Sequence, residues 1–496
     1  MPVPQEAPLP SCRDADGRRR RRGRVLGQWS DRRRRGHMRS HRNLVAMVAT
    51  AIVVGAAPAV VSAKPGPDYQ IDWTQVDGTV AAVEAATGQD VVSGEIAGAA
   101  WIAQVPANWN GDLVIYAHGY RGEGTSLTVD PPPQYQFLTA AGYAWAASSY
   151  RRNSYDPGVG VIDTKNLTQQ MQSMLRQQGE LDETYLVGVS MGGHVTAAAI
   201  ETYRNLWDGA LSACGVVGDV ELFDYFLDYN VGAAAFAGLA PDYPYPDPNW
   251  MTTTVPGIKA ALSTNPTGQW AGGLPQILGA PSPLTPAGQA FKDFVEVGSG
   301  GNRVTYDVAW NYWHGLASPT GDFFFNLAEG DGTIANRTGT VAQNTDMTYL
   351  DEYGIDIDAQ VKRVDASNRV RNSQGAQPAP IINGTPSVPI LTIHTTGDLF
   401  VPIEMEQHYA REVIANGLGD LLVQRAIRDV GHCSFTANEF ISAYRDLFAW
   451  VDDGVKPAGE DLVTNISSPS LGCAFTIGGG RTGSGLRFAL EPCPNP

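Results

Sequence analysis

A serine flanked by glycines constrains this chain more than any other feature. Residues 188–192 read G-V-S-M-G; the apolar segment 185–187 precedes them and a helix-compatible segment, 195–203, follows. Strand, pentapeptide and helix form the context in which a G-x-S-x-G motif is meaningful. The turn is so tight that the residues two before and two after Ser190 must lack side chains, and both are glycine. We therefore expect the Ser190 hydroxyl at a strand end, above a helix N-terminus that favours negative charge.

Apolar and helix-compatible segments alternate on both sides of this motif, which predicts βαβ units and a mostly parallel sheet flanked by helices. The predicted strands are 94–103, 112–117, 143–149, 185–187, 209–214, 389–394 and 421–427. The predicted helices are 135–141, 164–178, a segment starting at residue 193, 404–415 and 439–452. The fold class is thus α/β, with residues 64–218 and 388–453 as the two parts of one core.

The alternation stops in residues 219–387, which hold short helical segments, many Pro and Gly residues and a large share of the aromatics. Nothing at either end of this segment resembles a flexible linker. We interpret it as a cap or lid inserted before a late strand of the sheet; a separate domain is the alternative. Residues 454–496 form a Gly-rich C-terminal tail.

The N-terminal segment predicts export. Residues 1–37 carry eleven arginines without apolar periodicity, which indicates a disordered prefix or an untranslated upstream region, with Met38 as the true start. Residues 38–63 combine arginines, an apolar run and the small-residue site Val61-Ser62-Ala63, the pattern of a secretory signal peptide. A membrane anchor is the weaker alternative, because the apolar run is shorter than the roughly 20 residues that a spanning helix needs. We expect a secreted protein, extracellular or periplasmic, that begins after Ala63 without stable membrane insertion.

Charge and cysteine content restrict the partners and the compartment. Of 35 basic and 51 acidic residues, 13 and 4 respectively lie in residues 1–63, so the predicted mature part is strongly acidic. This balance argues against nucleic acid and anionic membranes as partners. The four cysteines after residue 63 suggest two disulfides, with three possible connectivities. Cys473 and Cys493 share the tail and are expected to pair, which leaves Cys214 and Cys433.

A base and an orienting carboxylate for the serine follow two late strands. Asp398 lies after the strand 389–394, and His432 lies after the strand 421–427. The loops that follow parallel strands emerge at one edge of a sheet, the edge at which Ser190 is also expected. A serine hydroxyl needs such a base, and the base needs a group that holds its tautomer. The chain order Ser190, Asp398, His432 resembles that of α/β-hydrolase-fold serine hydrolases over residues 90–218 and 388–453.

This resemblance implies further roles. The backbone N–H groups of Met191 and Tyr120 are expected to form the oxyanion hole. Tannases and feruloyl esterases similarly carry a cysteine beside the catalytic histidine, bonded to a cysteine before the serine. Here Val189 precedes Ser190, which departs from that pattern. Cys214 ends the neighbouring strand, so we expect a Cys214–Cys433 bridge; a free, buried Cys433 is the alternative.

The sequence therefore predicts a secreted serine hydrolase that cleaves carboxylic esters through an acyl-enzyme, with an amidase or peptidase as the alternative. The aromatic cap suggests a bulky or aromatic group in a small-molecule or polymeric substrate. A non-catalytic binding protein would be expected to lack one of the three residues. A dehalogenase relative would carry aspartate in place of Ser190. No metal-ligand cluster or cofactor fingerprint is found in the right context, so we expect neither metal nor cofactor.

Overall fold

The structure is a computed structural model. It describes residues 68–239, 248–265, 269–327, 340–367, 371, 379–478 and 485–494. Contacts divide the chain into two compact units, Met1–Lys64 and Pro65–Pro496, and all described residues lie in the second. The Arg-rich prefix of residues 1–37 and the predicted signal peptide of residues 38–63, with its predicted cleavage site, lie outside the described residues.

An eight-stranded sheet forms the centre of the fold. The strands are β1 Gln70–Ile71, β2 Val92–Ile96, β3 Ala99–Gln104, β4 Leu113–Ala117, β5 Ser126–Leu127, β6 Ala144–Ser148, β7 Thr184–Val189, β8 Gly209–Ala213, β9 Ile390–Thr395 and β10 Leu422–Ile427. The order in the sheet is β10-β9-β8-β7-β4-β6-β3-β2, and β1 pairs with β5 separately. Only β3 runs antiparallel to its neighbours β2 and β6, and all other pairs in this sheet are parallel.

Helices cover both faces of the sheet, which is why its central strands read as continuous apolar runs. Every residue of β4, β6, β8 and β9 is buried. The helices are α1 Trp73–Thr87, α2 Tyr135–Ala141, α3 Pro157–Arg176, α4 Met191–Thr202, α5 Glu221–Phe236, α6 Val255–Leu262, α7 Leu274–Ile277, α8 Pro286–Gly298, α9 Tyr306–Asn311, α10 Tyr349–Tyr353, α11 Glu404–Ala415 and α12 Ala437–Asp453. The predicted α/β class and mostly parallel sheet are therefore confirmed.

Two predictions near the N-terminus were wrong in detail. No helix was predicted before residue 135, whereas α1 occupies Trp73–Thr87 and starts at an Asp72 cap whose side chain accepts from the N–H of Gln75. Residues 94–103 were expected to form one strand. Instead a turn with positive φ at Ala97 and Gly98 separates β2 from β3.

The segment between β8 and β9 holds α5 to α10 and short π- and 3₁₀-helices, as expected from its broken pattern. Its core is aromatic: Tyr229 and His314 stack with a centroid distance of 5.9 Å, and Trp310 lies 3.9 Å from His314. In the tail, the N–H of Glu460 donates to the carbonyl of Gln424 on β10 at 2.8 Å, which places the tail against that edge strand.

Candidate active site

Ser190 occupies a strained turn between β7 and α4. Its φ of 59° and ψ of −123° are unusual for a residue with a side chain, and such strain persists only where the surroundings enforce it. A Cβ on Gly188 would lie 2.0 Å from the carbonyl oxygen of Gly192. A Cβ on Gly192 would lie equally close to the carbonyl oxygen of Ala117. Both glycines are therefore required by close backbone approach, as the motif predicts.

Two observations identify the fold. The sheet has one antiparallel inner strand, β3, and a serine lies on a sharp turn between β7 and α4. The chain adopts the α/β-hydrolase fold.

Ser190, His432 and Asp398 form a continuous hydrogen-bonded chain. The Oγ of Ser190 lies 2.9 Å from Nε2 of His432, and Nδ1 of His432 lies 2.6 Å from Oδ2 of Asp398. Asp398 is fully buried, and its Oδ1 accepts from the N–H groups of Phe400 and Val401. That leaves Oδ2 for the imidazole, so Nδ1 carries the proton and Nε2 accepts from the serine hydroxyl. The three predicted residues are brought together by the ends of β7, β9 and β10.

Trp313 links the Asp398 and His432 loops from outside the sheet. Its indole Nε1 donates to the carbonyls of Gly397, at 3.1 Å, and Val430, at 2.9 Å. Gly397 immediately precedes Asp398, and Val430 lies two residues before His432. In the sequence, Trp313 is one of many aromatic residues between β8 and β9. No local pattern could have revealed a contact over 117 residues of chain.

A disulfide also anchors the histidine loop. The structure pairs Cys433 with Cys214, with their Cα atoms 5.2 Å apart, and pairs Cys473 with Cys493 in the tail. Cys214 follows β8, the strand between those that lead to Ser190 and Asp398, and its N–H donates to the carbonyl of Ile393. Cys214, His432 and Cys433 are also the cluster of possible metal ligands found among the described residues. Because both sulfurs are bonded to each other, this cluster cannot hold an ion.

Tyr120 and Met191 are the two residues whose N–H groups are predicted to form the oxyanion hole. Both line the same cavity as Ser190, and Met191 is the first residue of α4. Gly119 approaches so closely that a Cβ there would lie 3.1 Å from Cβ of Ser190. His118 holds this loop: its buried ring stacks on Tyr150 at 3.9 Å, and its Nδ1 lies 2.6 Å from the carbonyl oxygen of Gly119. Burial lowers the pKa of His118 to about 3, so it is neutral and structural.

Three other histidines, His194, His394 and His408, have structural partners. His194 is buried, with Tyr155 Oη 2.9 Å from Nδ1 and the carbonyl oxygen of Pro380 2.7 Å from Nε2. Burial lowers the pKa of His194 to about 4. His394 lies 3.2 Å from Glu406 inside the core, and His408 lies near Glu412 on α11. Of these three, His194 bears indirectly on the site, because it fixes Tyr155 in the cavity wall.

A cavity of about 270 Å³ opens beside Ser190. Its lining is mostly apolar, and its residues are Tyr120, Glu123, Ser154, Tyr155, Ser190, Met191, Val216, Leu222, Phe223, Phe226, Asn326, Leu327, Phe400 and Val401. Phe226 of α5 stacks on Phe400 with a centroid distance of 5.8 Å, and Phe400 meets His432 edge-on at 5.3 Å. Among the described residues of this lining, Glu123 is the one carboxylate, and none is a lysine or arginine. The segment between β8 and β9 thus supplies one wall of the cavity.

Comparisons with known proteins give distant relatives. No protein-family model matches the chain. The o-phthalyl amidase of Xanthobacter agilis is 24% identical over 410 residues, which span 73% of this chain and 87% of the amidase. Among solved structures, feruloyl esterase B from Aspergillus oryzae is similar at 15% identity and a TM-score of 0.41, over 74% of this chain and 80% of the esterase. Tannin acyl hydrolase from Aspergillus niger has 13% identity and a TM-score of 0.39, over 74% and 78%.

Among the described residues, no helix combines the length and the apolar character needed to cross a bilayer.

Proposed function

We propose that this protein is a secreted serine hydrolase that cleaves carboxylic esters through an acyl-enzyme intermediate. The observation that carries the proposal is the hydrogen-bonded chain from Ser190 Oγ through His432 to buried Asp398. A hydroxyl, an imidazole with a free acceptor nitrogen and a carboxylate that fixes the tautomer are what activation of a serine requires.

The proposed reaction has two halves. Ser190 Oγ attacks the ester carbonyl while Nε2 of His432 takes its proton, and the N–H groups of Met191 and Tyr120 stabilise the oxyanion. His432 then protonates the departing alkoxide, which leaves an acyl group on Ser190. In the second half, water gives its proton to His432 and attacks the acyl carbonyl. Ser190 is released with the proton from His432, and Asp398 stabilises the imidazolium in both halves.

The cavity supports a bulky or aromatic acyl or alcohol group as the substrate part that binds beside Ser190. Flat apolar rings from Phe223, Phe226 and Phe400 favour stacking with an aromatic ring. The described lining residues include the carboxylate of Glu123 and no lysine or arginine, which favours a neutral group over an anionic one. We assign residues 219–387 as the cap, because α5 brings Phe223 and Phe226 to the cavity.

An amidase or peptidase is the second candidate, and the distant similarity to an o-phthalyl amidase favours it. The same three residues serve both reactions, because the leaving nitrogen of an amide also needs a proton from His432. The small, mostly apolar cavity offers an aromatic acyl group the same environment in an ester and in an amide.

Secretion is supported by the two disulfides, which persist in oxidising compartments. Removal of residues 1–63 rests on the sequence pattern of residues 38–63. N-terminal sequencing of the exported protein tests it, and a mature chain that begins well before Ala63 contradicts it.

Hydrolysis of matched aryl esters and anilides tests the proposed activity and separates the two candidates. We expect turnover of benzoyl or phenylacetyl esters, loss of that turnover in Ser190→Ala, and labelling of Ser190 by a fluorophosphonate. Ser173→Ala, at an exposed position of α3, is the matched control and should behave as the wild type. Faster hydrolysis of the anilides would favour the amidase. Absence of both turnover and labelling would refute the hydrolase.

A further inference from the structure

Arg487 of the C-terminal tail is buried beneath the loop that carries His432. Its side chain is only 4% exposed, although it comes from a 3₁₀-helix in the tail, Arg487–Ala489. The guanidinium contacts two buried carboxylates: Nε lies 2.7 Å from Asp429, and Nη1 lies 2.6 Å from Glu439. A buried arginine between two carboxylates neutralises charges that would otherwise be costly inside the protein.

Asp429 connects Arg487 to the backbone of the histidine loop. Its Oδ2 accepts from Arg487, while its Oδ1 accepts from the N–H of Val430 at 2.7 Å and lies 3.3 Å from the N–H of Gly431. Those two residues directly precede His432. The carbonyl of Gly431 accepts in turn from Thr395 at the end of β9. The orientation of the Asp429 carboxylate therefore sets the backbone that leads into the imidazole.

Arg487 also holds the far side of the same loop. Its Nη2 donates to the carbonyl of Ser434, two residues after His432, at 2.9 Å. Nη2 also donates to Oε2 of Glu439 at 3.0 Å. Glu439 completes a capping box with Thr436 at the start of α12, so the guanidinium is tied to the first turn of that helix. One side chain thus bridges the residues three before and two after His432.

The tail holds Arg487 through a covalent ring. The Cys473–Cys493 disulfide encloses residue 487, and Nη1 of Arg428 lies 3.1 Å from each of the two sulfurs. The N–H of Arg428 donates to Thr476 of the tail, and the N–H of Ile477 donates to Glu439. The tail is therefore attached at the root of the histidine loop.

We propose that Arg487 is a positioning residue for His432, so that the C-terminal tail sets the geometry of the general base. This inference rests on the proposed role of His432 and goes beyond it, because Arg487 touches none of the three reacting side chains. Its action runs through Asp429 on one side and Ser434 on the other. An error of about 1 Å in a catalytic group costs on the order of 10² in rate.

Replacement of Arg487 by a neutral side chain of similar length tests this proposal. We expect Arg487→Met to lower kcat about 100-fold with KM changed less than about threefold, because the loop moves while the cavity, which none of the described tail residues lines, stays intact. The acidic limb of the pH–activity profile should move to higher pH, because Asp429 and Glu439 lose their cation and favour a charged imidazole. In Arg487→Ala, millimolar methylguanidinium should restore part of kcat.

Arg425→Met is the matched control. Arg425 on β10 is equally buried, with a side chain that is 4% exposed. It contacts Ala458 of the tail and Asp446 of α12, but not the histidine loop. It should lose stability without losing kcat. Equal kcat in the two folded variants, or a change confined to the melting temperature of Arg487→Met, would overturn the proposal.

Two further measurements separate this proposal from the proposed function. Asp429→Asn should reproduce the loss of kcat seen in Arg487→Met, but not the shift of the acidic limb, because it removes a negative charge. The kcat of the double variant should be no lower than that of the worse single variant, because the two residues act in series. An NMR measurement of the pH at which the His432 imidazole resonances titrate needs no substrate. A shift in Arg487→Met but not in Arg425→Met supports the positioning role even if no ester is turned over. Unchanged titration in both overturns it.

Discussion

Cys433, the residue after His432, is bonded to Cys214 at the end of β8, across 219 positions of sequence. This bond joins the histidine loop to the strand that lies between β7, which leads to Ser190, and β9, which leads to Asp398. It therefore ties the proposed base to the part of the sheet that supports its two partners.

Removal of this bond should reduce stability and turnover together. Closing so long a loop stabilises a fold by about 5 kcal/mol in a chain-entropy treatment. We expect Cys214→Ala/Cys433→Ala to lose a free energy of unfolding of this order, measured in urea, and to lose kcat because the loop is released. Cys473→Ala/Cys493→Ala, which opens a loop of only 20 residues, should lose less stability. An equal loss in both double variants would contradict the loop-length argument.

Asp398→Asn should leave binding intact and remove most of the rate. The amide cannot hold the Nδ1 proton as the carboxylate does, so Nε2 no longer reliably accepts from Ser190. We expect kcat to fall about 10³- to 10⁴-fold with KM nearly unchanged, measured with a neutral benzoyl ester. Asp307→Asn, at an aspartate whose side chain is 82% exposed, serves as the control. A decrease of less than tenfold in Asp398→Asn would argue against its assigned role.

Most of this site could be predicted because its signals are local. Gly188 and Gly192 are required by contacts within a few residues of the turn, and Asp398 and His432 each follow an apolar run that reads as a buried strand. The loops then meet because parallel strands end at one edge of the sheet. Helix α1 was not predicted, although Asp72 is a residue type that favours the N-cap position of a helix.

The supporting contacts could not be predicted, since they join distant segments without a local pattern. Trp313 meets Val430 over 117 positions, and Arg487 meets Asp429 over 58. Nothing in the spacing of a tryptophan or an arginine indicates which backbone carbonyl or buried carboxylate it contacts. Tertiary packing alone decides these contacts, and they hold the loops that carry Asp398 and His432.

Phe226→Ala should weaken the binding of aromatic substrates selectively. Phe226 lies in the cavity wall, stacked on Phe400, which itself meets His432. Stacking of aromatic pairs contributes about 0.5 to 1.5 kcal/mol beyond area burial, so KM for a benzoyl ester should rise about 3- to 10-fold. KM for the matching acetyl ester should change little. Leu278→Ala, at an exposed position of the cap, is the control. Equal effects on both esters would show that the aromatic wall does not bind the acyl or alcohol ring.

Stability should decrease from pH 6.5 to pH 9 because of His408 on α11. The side-chain hydrogen bond with Glu412, together with the negative charges of Glu404 and Glu221, raises its pKa to about 9, although partial burial opposes this. A histidine whose pKa is higher in the folded state stabilises the protein fully below its unfolded pKa of about 6.5, and this contribution is lost as the pH rises to about 9.

Because the side chain is 29% exposed and therefore partly screened, we expect a loss of about 1 to 2 kcal/mol in the free energy of unfolding over this range, measured in urea. His408→Gln should flatten the profile there and lower stability at pH 6.5. His194→Gln is the comparison, because the pH dependence that His194 causes has the opposite sign. Burial lowers the pKa of His194 to about 4, so below pH 6.5 the unfolded chain binds a proton that the folded chain does not. The contribution of His194 to stability is therefore lost as the pH falls from about 6.5 to about 4. A profile unchanged by His408→Gln would place the pH dependence on other groups.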